Sequence, residues 1–266
     1  MATLYYNAAV NTNWATLGNW WTDDAFTTQA SALPSSSDSV VLSATCNANG
    51  GSAPTVANLT LNDPAFDYAV FSITITVNGN ATFNGYAVND GIVNGDATFN
   101  DNSYSSGTVN GDATFNDYAA TGGTVTGDAT FNGYAVNNGT VSGNATFNDN
   151  SYNNFNATIA GNATFNDSSY NFGTVNGDAT FNDNSYNNSG TVNGDATFND
   201  TVSNEFGTVS GDATFNDSSI NNYGTVNGNA TFNDASYTTV ETTIGTTVFG
   251  TRLRYGINNS NILGMI

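Results

Sequence analysis

The sequence predicts an all-β fold: a single-stranded parallel β-solenoid of about ten coils of 16 to 18 residues, with a cap at each end. Two observations lead to this prediction. The tripeptide Ala-Thr-Phe occurs ten times at intervals of 16, 17 or 18 residues, and apolar and polar residues alternate around it. The phenylalanines of the ten tripeptides are Phe83, Phe99, Phe115, Phe131, Phe147, Phe165, Phe181, Phe198, Phe215 and Phe232.

The alternation around each Phe has the period of a β-strand. In one unit, Val93, Ala97 and Phe99 fall on one face, whereas Asp96 and Thr98 fall on the other. Val or Ile stands six residues before the Phe in all ten units. One such strand cannot bury its apolar face alone, so we expect identical units to stack at about 4.8 Å per coil with the phenylalanines as the stacking core.

A second apolar column lies five residues after the Phe, and we expect it to line the opposite wall of a narrow, two-sided coil. Its members are Val88, Tyr104, Ala120, Val136, Tyr152, Tyr170, Tyr186, Ile220 and Tyr237. The Gly found four residues before each Phe is compatible with a bend, a bulge or a tight core layer.

The corner after each Phe is polar and begins with Asn in all ten units. We call these residues the Asn row and expect their stacked amides to form a ladder that satisfies the corner, in preference to binding a ligand. The Asn row is Asn84, Asn100, Asn116, Asn132, Asn148, Asn166, Asn182, Asn199, Asn216 and Asn233. The short Asx side chains that follow also tolerate left-handed backbone.

Both ends depart from the repeat, as the ends of natural solenoids do. The N-terminal end contains Trp14, Trp20 and Trp21, and the C-terminal end is apolar and contains Arg252 and Arg254. We predict a Trp-rich N-terminal cap or attachment region at 1–54, solenoid repeats at 55–237, and a C-terminal cap or oligomerisation segment at 238–266.

The composition argues against several classes of function. The formal net charge is −20 with only two basic residues, so we expect no nucleic-acid partner and no membrane-surface partner. The chain has no His and no Lys, and Cys46 is its single cysteine, which argues against Ser/His/Asp and Cys/His catalysis and against a zinc site. Paired carboxylates acting on a glycan remain formally open, but no pair stands out. We expect no catalytic residues, no enzyme activity and no cofactor.

Most of the acidic residues fall into two rows. The upstream Asp row, three residues before the Phe, is Asp96, Asp112, Asp128, Asp178, Asp195 and Asp212, and Asn takes this position at 80, 144, 162 and 229. The downstream Asp row, two residues after the Phe, is Asp101, Asp117, Asp149, Asp167, Asp183, Asp200, Asp217 and Asp234. Carboxylates 4.8 Å apart repel each other by about 0.9 kcal/mol even in water. Either they splay into solvent, or Ca²⁺ bridges the coils, with the upstream row as its candidate ligands.

A row of threonines is expected to face outwards beside these acidic residues. The Thr row is Thr82, Thr98, Thr114, Thr130, Thr146, Thr164, Thr180, Thr197, Thr214 and Thr231. Such a row is a candidate binding face for a glycan, a receptor or, less favourably, ice. It is equally explained by the β-propensity of Thr on a solvated strand.

The segment Trp14-Ala-Thr-Leu-Gly-Asn-Trp20-Trp21, followed by Leu33-Pro34-Ser-Ser-Ser-Asp38-Ser-Val40-Val41, resembles the lead-in of repetitive β-solenoid proteins of bacteriophages and of some bacterial surface adhesins. The resemblance implies a structural component of a virion surface, spike or fibre. We expect self-association or contact with other structural subunits, with a host glycan or receptor as a possible ligand. No signal peptide is visible at Met1, so we expect synthesis in the cytoplasm and a final place on a virion or extracellular surface.

Overall fold

The structure of the chain is a computed structural model that describes residues 2–8, 10, 11, 13–43, 54–63, 74–239 and 244–249. Cys46, Arg252 and Arg254, with most of the predicted C-terminal segment, lie outside the described residues. The chain divides into two compact units, Met1–Ala145 and Thr146–Ile266, here called the first and second unit. Each is a parallel β-solenoid, which confirms the fold class predicted from the repeat.

Each coil of the repeat contains three short strands. The Thr-Val strand comes first, the Ala-Thr-Phe strand follows after a bend at Gly, and the third strand follows after a polar turn. Each strand pairs in parallel with the same strand of the next coil, so that Phe99, for example, pairs with both Phe83 and Phe115. The single strand predicted from the alternation is therefore broken by the bend in every repeat coil except the last, where Thr225–Phe232 is continuous.

The strands of the first unit's repeat have the following bounds. The Thr-Val strands are Thr76–Val77, Ile92–Val93, Thr108–Val109, Thr124–Val125 and Thr140–Val141. The Ala-Thr-Phe strands are Ala81–Gly85, Ala97–Phe99, Ala113–Phe115 and Ala129–Phe131. The third strands are Val88–Asn89, Tyr104–Ser105, Ala120–Thr121 and Val136–Asn137.

The second unit repeats the same order. Its Thr-Val strands before Thr225–Phe232 are Thr158–Ile159, Thr174–Val175, Thr191–Val192 and Thr208–Val209. Its Ala-Thr-Phe strands are Ala145–Phe147, which begins at the last residue of the first unit, Ala163–Phe165, Ala179–Phe181, Ala196–Phe198 and Ala213–Phe215. Its third strands are Tyr152–Asn153, Tyr170–Asn171, Tyr186–Asn188, Ser203–Glu205, Ile220–Asn222 and Tyr237–Thr238, and Ile244–Phe249 pairs with Thr225–Phe232.

Irregular coils at the N-terminal end cover the open edge of the repeat. Their elements are Thr3–Tyr6, a 3-10 helix at Leu17–Asn19, Trp20–Trp21, Ser39–Leu42, Thr55–Val56 and Leu59–Asp63. Leu61 pairs with Phe83, so Leu59–Asp63 forms a degenerate coil with Leu at the Phe position. Trp20 is fully buried and packs edge-on against Tyr6 and Trp14, with ring centroids 5.1 and 4.6 Å apart.

The phenylalanines stack directly on one another within each unit. Ring centroids are 4.7 to 4.9 Å apart from Phe83 to Phe131 in the first unit, and 4.6 to 5.0 Å apart from Phe147 to Phe232 in the second. Neighbouring rings are parallel to within 9°. Full burial of each ring is worth about 1.5 to 3 kcal/mol, which makes this column a main source of cohesion between coils.

The third strand is oriented opposite to the prediction. The column five residues after the Phe points outwards, and Tyr104 and Tyr237 in it are 36% and 44% exposed. The inner wall is instead formed by the residues on either side of that column. Four residues after the Phe they are Ala87, Ser103, Ala119, Ala135, Ser151, Ser169, Ser185, Val202 and Ser219, and six residues after it they are Asn89, Ser105, Thr121, Asn137, Asn153, Asn171, Asn187, Asn204 and Asn221. The expectation of an apolar opposite wall was therefore wrong.

The Gly before the Ala-Thr-Phe sequence marks a bend in every repeat coil except the last, and it also marks a close contact between coils. The Gly194 N–H donates to the Gly177 carbonyl over 3.2 Å. A Cβ on Gly194 would lie 2.6 Å from that carbonyl oxygen and would also meet Asp178 Oδ1. Any larger residue here would push two coils apart.

The coils of 17 and 18 residues place their extra residues at one corner, between the third strand and the next Thr-Val strand. Ser189, Phe206 and Tyr223 occupy this corner with left-handed φ of 60°, 53° and 57°. The 18-residue coil carries Phe155 at the same corner. Because the insertions are confined to one corner, the three strand ladders keep their register.

Candidate functional site

The Thr row lies on the outward side of the Ala-Thr-Phe strands, as predicted. Its members are partly exposed and pair in register, for example Thr98 with Thr82 and Thr114. Within each unit the row therefore presents hydroxyl and methyl groups at the spacing of the coils. Its use as a binding face stays a prediction.

The upstream Asp row forms a ladder to the backbone. Asp178 Oδ1 accepts the Asp195 N–H over 2.9 Å, and Asp195 Oδ1 accepts the Asp212 N–H over 2.8 Å. Asn replaces Asp without loss of this bond, since Asn80 Oδ1 accepts the Asp96 N–H over 2.9 Å. The position requires a short side chain with an oxygen acceptor, which explains why Asp and Asn alternate there.

The downstream Asp row occupies a left-handed turn. All eight aspartates have φ between 55° and 61°, and Gly85 and Gly133 take the same position with φ of 71° and 70°. Asp and Gly are among the residues that adopt this conformation at low cost. Five of these carboxylates, those of Asp101, Asp167, Asp183, Asp200 and Asp217, accept a backbone N–H of the preceding coil, as when Asp200 Oδ2 accepts the Asp183 N–H over 3.2 Å. The expected left-handed corner is confirmed.

The two rows do not converge on a metal-binding cluster in the part of the chain that the structure describes. No group of three or more His, Cys, Asp or Glu side chains there has the geometry to hold an ion. Each aspartate of the upstream row already accepts a backbone N–H with one carboxylate oxygen. These residues are Asp96, Asp112, Asp128, Asp178, Asp195 and Asp212. Calcium bridging stays a prediction that the following variants test.

We expect Asp195→Asn to leave the free energy of unfolding unchanged or slightly raised, because the amide oxygen keeps the acceptor role while repulsion from Asp178 and Asp212 is removed. Asp195→Ala removes the acceptor and should cost about 1 kcal/mol. Urea unfolding of both variants measures this difference. If calcium bridges the row, Ca²⁺ will raise the wild-type midpoint, EDTA will lower it, and Asp195→Asn will weaken that response.

Amide ladders run along two sides of each coil. The predicted ladder of the Asn row is present in both units: Asn100 Nδ2 donates to Asn84 Oδ1 over 2.7 Å, and Asn182 Nδ2 donates to Asn166 Oδ1 over 2.9 Å. The second ladder is fully buried in the inner wall of the second unit. It runs through Asn153, Asn171, Asn187, Asn204 and Asn221 with N···O distances of 2.7 to 2.9 Å.

Sequence reasoning missed the buried ladder, although a signal was present. Nine third strands run from Val88–Asn89 to Ile220–Asn222 along the described chain. In seven of these nine units, Asn stands six residues after the Phe. A recurrent polar residue beside a recurrent Tyr is compatible with either side facing inwards. Pairing of identical amides along a parallel stack favours the inward Asn, because every stacked amide finds a partner.

No described helix is long and apolar enough to cross a membrane. Comparison of the chain with models of known protein families, with curated proteins and with solved structures found no match.

Proposed function

We propose that this chain is a non-enzymatic structural protein, a stiff subunit of a virion surface, spike or surface fibre. One observation carries the proposal: four of the repeated residue types bond one coil to the next. The phenylalanines stack, the asparagines form amide ladders, the glycines bring the backbones together, and the upstream aspartates bond to the neighbouring backbone. Such cohesion between coils suits a protein that bears load or holds other parts at a fixed distance.

The surface chemistry is consistent with this role. A protein with a net charge of −20 repels other copies of itself, which favours solubility before assembly. Partners would then be other structural subunits, or further copies joined through the chain ends. The proposed location is a virion or an extracellular surface.

Immunogold electron microscopy of the native source tests the proposal. Antibodies raised against the purified full chain are applied to released particles and to thin sections of cells, with pre-immune serum as the control. We expect gold on particle surfaces or on fibres at the cell surface. Label confined to the cell interior, with bare particles and bare cell surfaces, would refute the proposal.

The second candidate function is binding of a glycan, a receptor or, less favourably, ice by the Thr row. It is supported by the outward, in-register placement of the threonines. A charged substitution at Thr114 or Thr130 should abolish attachment while circular dichroism still shows the fold. If the role of the protein is purely structural, the same substitutions will change neither attachment nor the fold.

A further inference from the structure

The second unit carries an exposed aromatic patch formed by Tyr152, Phe155, Tyr170, Phe172 and Tyr186. The rings lie next to one another. The centroid of the Phe172 ring is 5.1 Å from that of Phe155, 5.7 Å from that of Tyr170 and 6.1 Å from that of Tyr152, and the Tyr170 and Tyr186 centroids are 5.3 Å apart. Phe155 is 65% exposed, and the other four are partly exposed. Large apolar side chains grouped on a solvated surface commonly mark an interaction site.

Two rings of the patch, those of Tyr152 and Phe155, are oriented differently from the rings of the buried column, whereas Tyr170 stacks in parallel on Phe172 and on Tyr186. Phe155 is tilted by 36° to Phe172, and Tyr152 stands at 85° to it. Buried phenylalanines such as Phe181 instead lie parallel to both neighbours, which cover both of their faces. Non-parallel exposed rings leave part of their π-faces available, and such faces attract cations within about 6 Å of the ring centroid.

The charge around the patch selects the kind of partner. Asp149, Asp167 and Asp183 each precede a tyrosine of the patch by three residues, and all three are exposed. The sequence contains no basic residue before Arg252, so these carboxylates have no Lys, Arg or His neighbour in the repeat. A second copy of the chain would bring another charge of −20 to the same surface, which disfavours self-association there.

We propose that the aromatic patch binds an arginine-rich segment of a partner protein. Its guanidinium groups would lie over the rings of Phe155 and Phe172, and the carboxylates of the downstream Asp row would attract its positive charge. Arginine suits this surface because its planar group stacks on aromatic faces and also pairs with carboxylates. The inference goes beyond the proposed structural role and does not depend on it.

The test measures binding of a fluorescein-labelled hexa-arginine peptide to the full chain by fluorescence anisotropy, at low and at physiological salt. The double variant Phe155→Ser/Phe172→Ser should bind about tenfold more weakly, as expected for the loss of two cation–π contacts. Phe155 is exposed and Phe172 is partly exposed, so the fold should persist, and circular dichroism verifies this. The matched control is Phe206→Ser/Tyr223→Ser, which removes a stacked, exposed aromatic pair outside the patch and should bind like the wild type.

Four outcomes would overturn the proposal. The first is no peptide binding, and the second is equal binding by wild type and the patch variant, which would mean attraction by net charge alone. The third is equal or tighter binding of a hexa-citrulline peptide or of maltohexaose, which would indicate a neutral ligand. The fourth is a wild-type dimer in sedimentation that the patch variant dissociates, which would make a second copy the occupant.

Discussion

Phe181→Ala is expected to lower the free energy of unfolding by about 3 to 5 kcal/mol. Phe181 is fully buried and stacks on Phe165 and Phe198 with centroids 4.7 and 5.0 Å apart. The cavity left by the ring lies between coils whose separation is fixed by backbone and amide ladders, so the surroundings cannot collapse into it. The shift of the urea midpoint at unchanged m-value measures the loss.

Asn182→Ala is the matched control because it changes the adjacent residue in the same coil. Asn182 is partly exposed, donates to Asn166 Oδ1 over 2.9 Å and accepts from Asn199 Nδ2 over 2.8 Å. Because water can replace both bonds at this exposed corner, its removal should cost only about 1 kcal/mol. Phe181→Leu, which retains most of the buried volume, should fall between the two. A Phe181→Ala protein no less stable than Asn182→Ala would mean that the aromatic column is not the main source of cohesion.

The fold was predictable because one side of the coil has an unambiguous pattern. Val93, Ala97 and Phe99 alternate with polar residues, and their equivalents recur at a nearly fixed interval. The period of two assigns them to one face, and the repeat requires like residues to stack. The break at Gly95 was left open by the sequence, because Gly in a strand is compatible with a bend or with close packing. The structure combines both.

The third strand was predicted in the wrong orientation because it is too short to carry a pattern. In Tyr186–Asn188 hydrophobicity favours an inward Tyr, whereas the structure places Asn187 inside. In a two- or three-residue strand nothing else distinguishes the two faces, and a shift of one residue exchanges them. In the second unit the pairing of identical amides between coils favours the inward Asn, and this pairing cannot be seen in the sequence of one coil.

The upstream Asp row illustrates a similar limit for the candidate site. The sequence shows Asn at 80, 144, 162 and 229 as interruptions of a row of potential calcium ligands. In the structure the same positions are equivalent, because Asn162 Oδ1 and Asp178 Oδ1 accept backbone N–H groups in the same way. Which side-chain oxygen meets which backbone group depends on the stacking of coils. That geometry cannot be obtained from the order of residues within one unit.

Asn187→Ala is expected to destabilise the protein by about 2 to 6 kcal/mol, because it leaves two buried polar groups without partners at about 1 to 3 kcal/mol each. Asn187 accepts from Asn171 Nδ2 over 2.9 Å and donates to Asn204 Oδ1 over 2.7 Å. All three side chains are fully buried, so water cannot replace the lost bonds. Urea and thermal unfolding measure the change.

Ser185→Ala provides the control on the same inner wall, two residues earlier. The Ser185 hydroxyl is buried without a hydrogen-bond partner among the described residues, and Ala119 and Ala135 occupy the equivalent position in the first unit. Its removal should therefore leave stability unchanged or slightly raised. If Asn187→Ala were as well tolerated as Ser185→Ala, the amides would not be paired inside the coil. The third strand would then have to turn its tyrosines inwards, which would also remove Tyr170 and Tyr186 from the exposed aromatic patch.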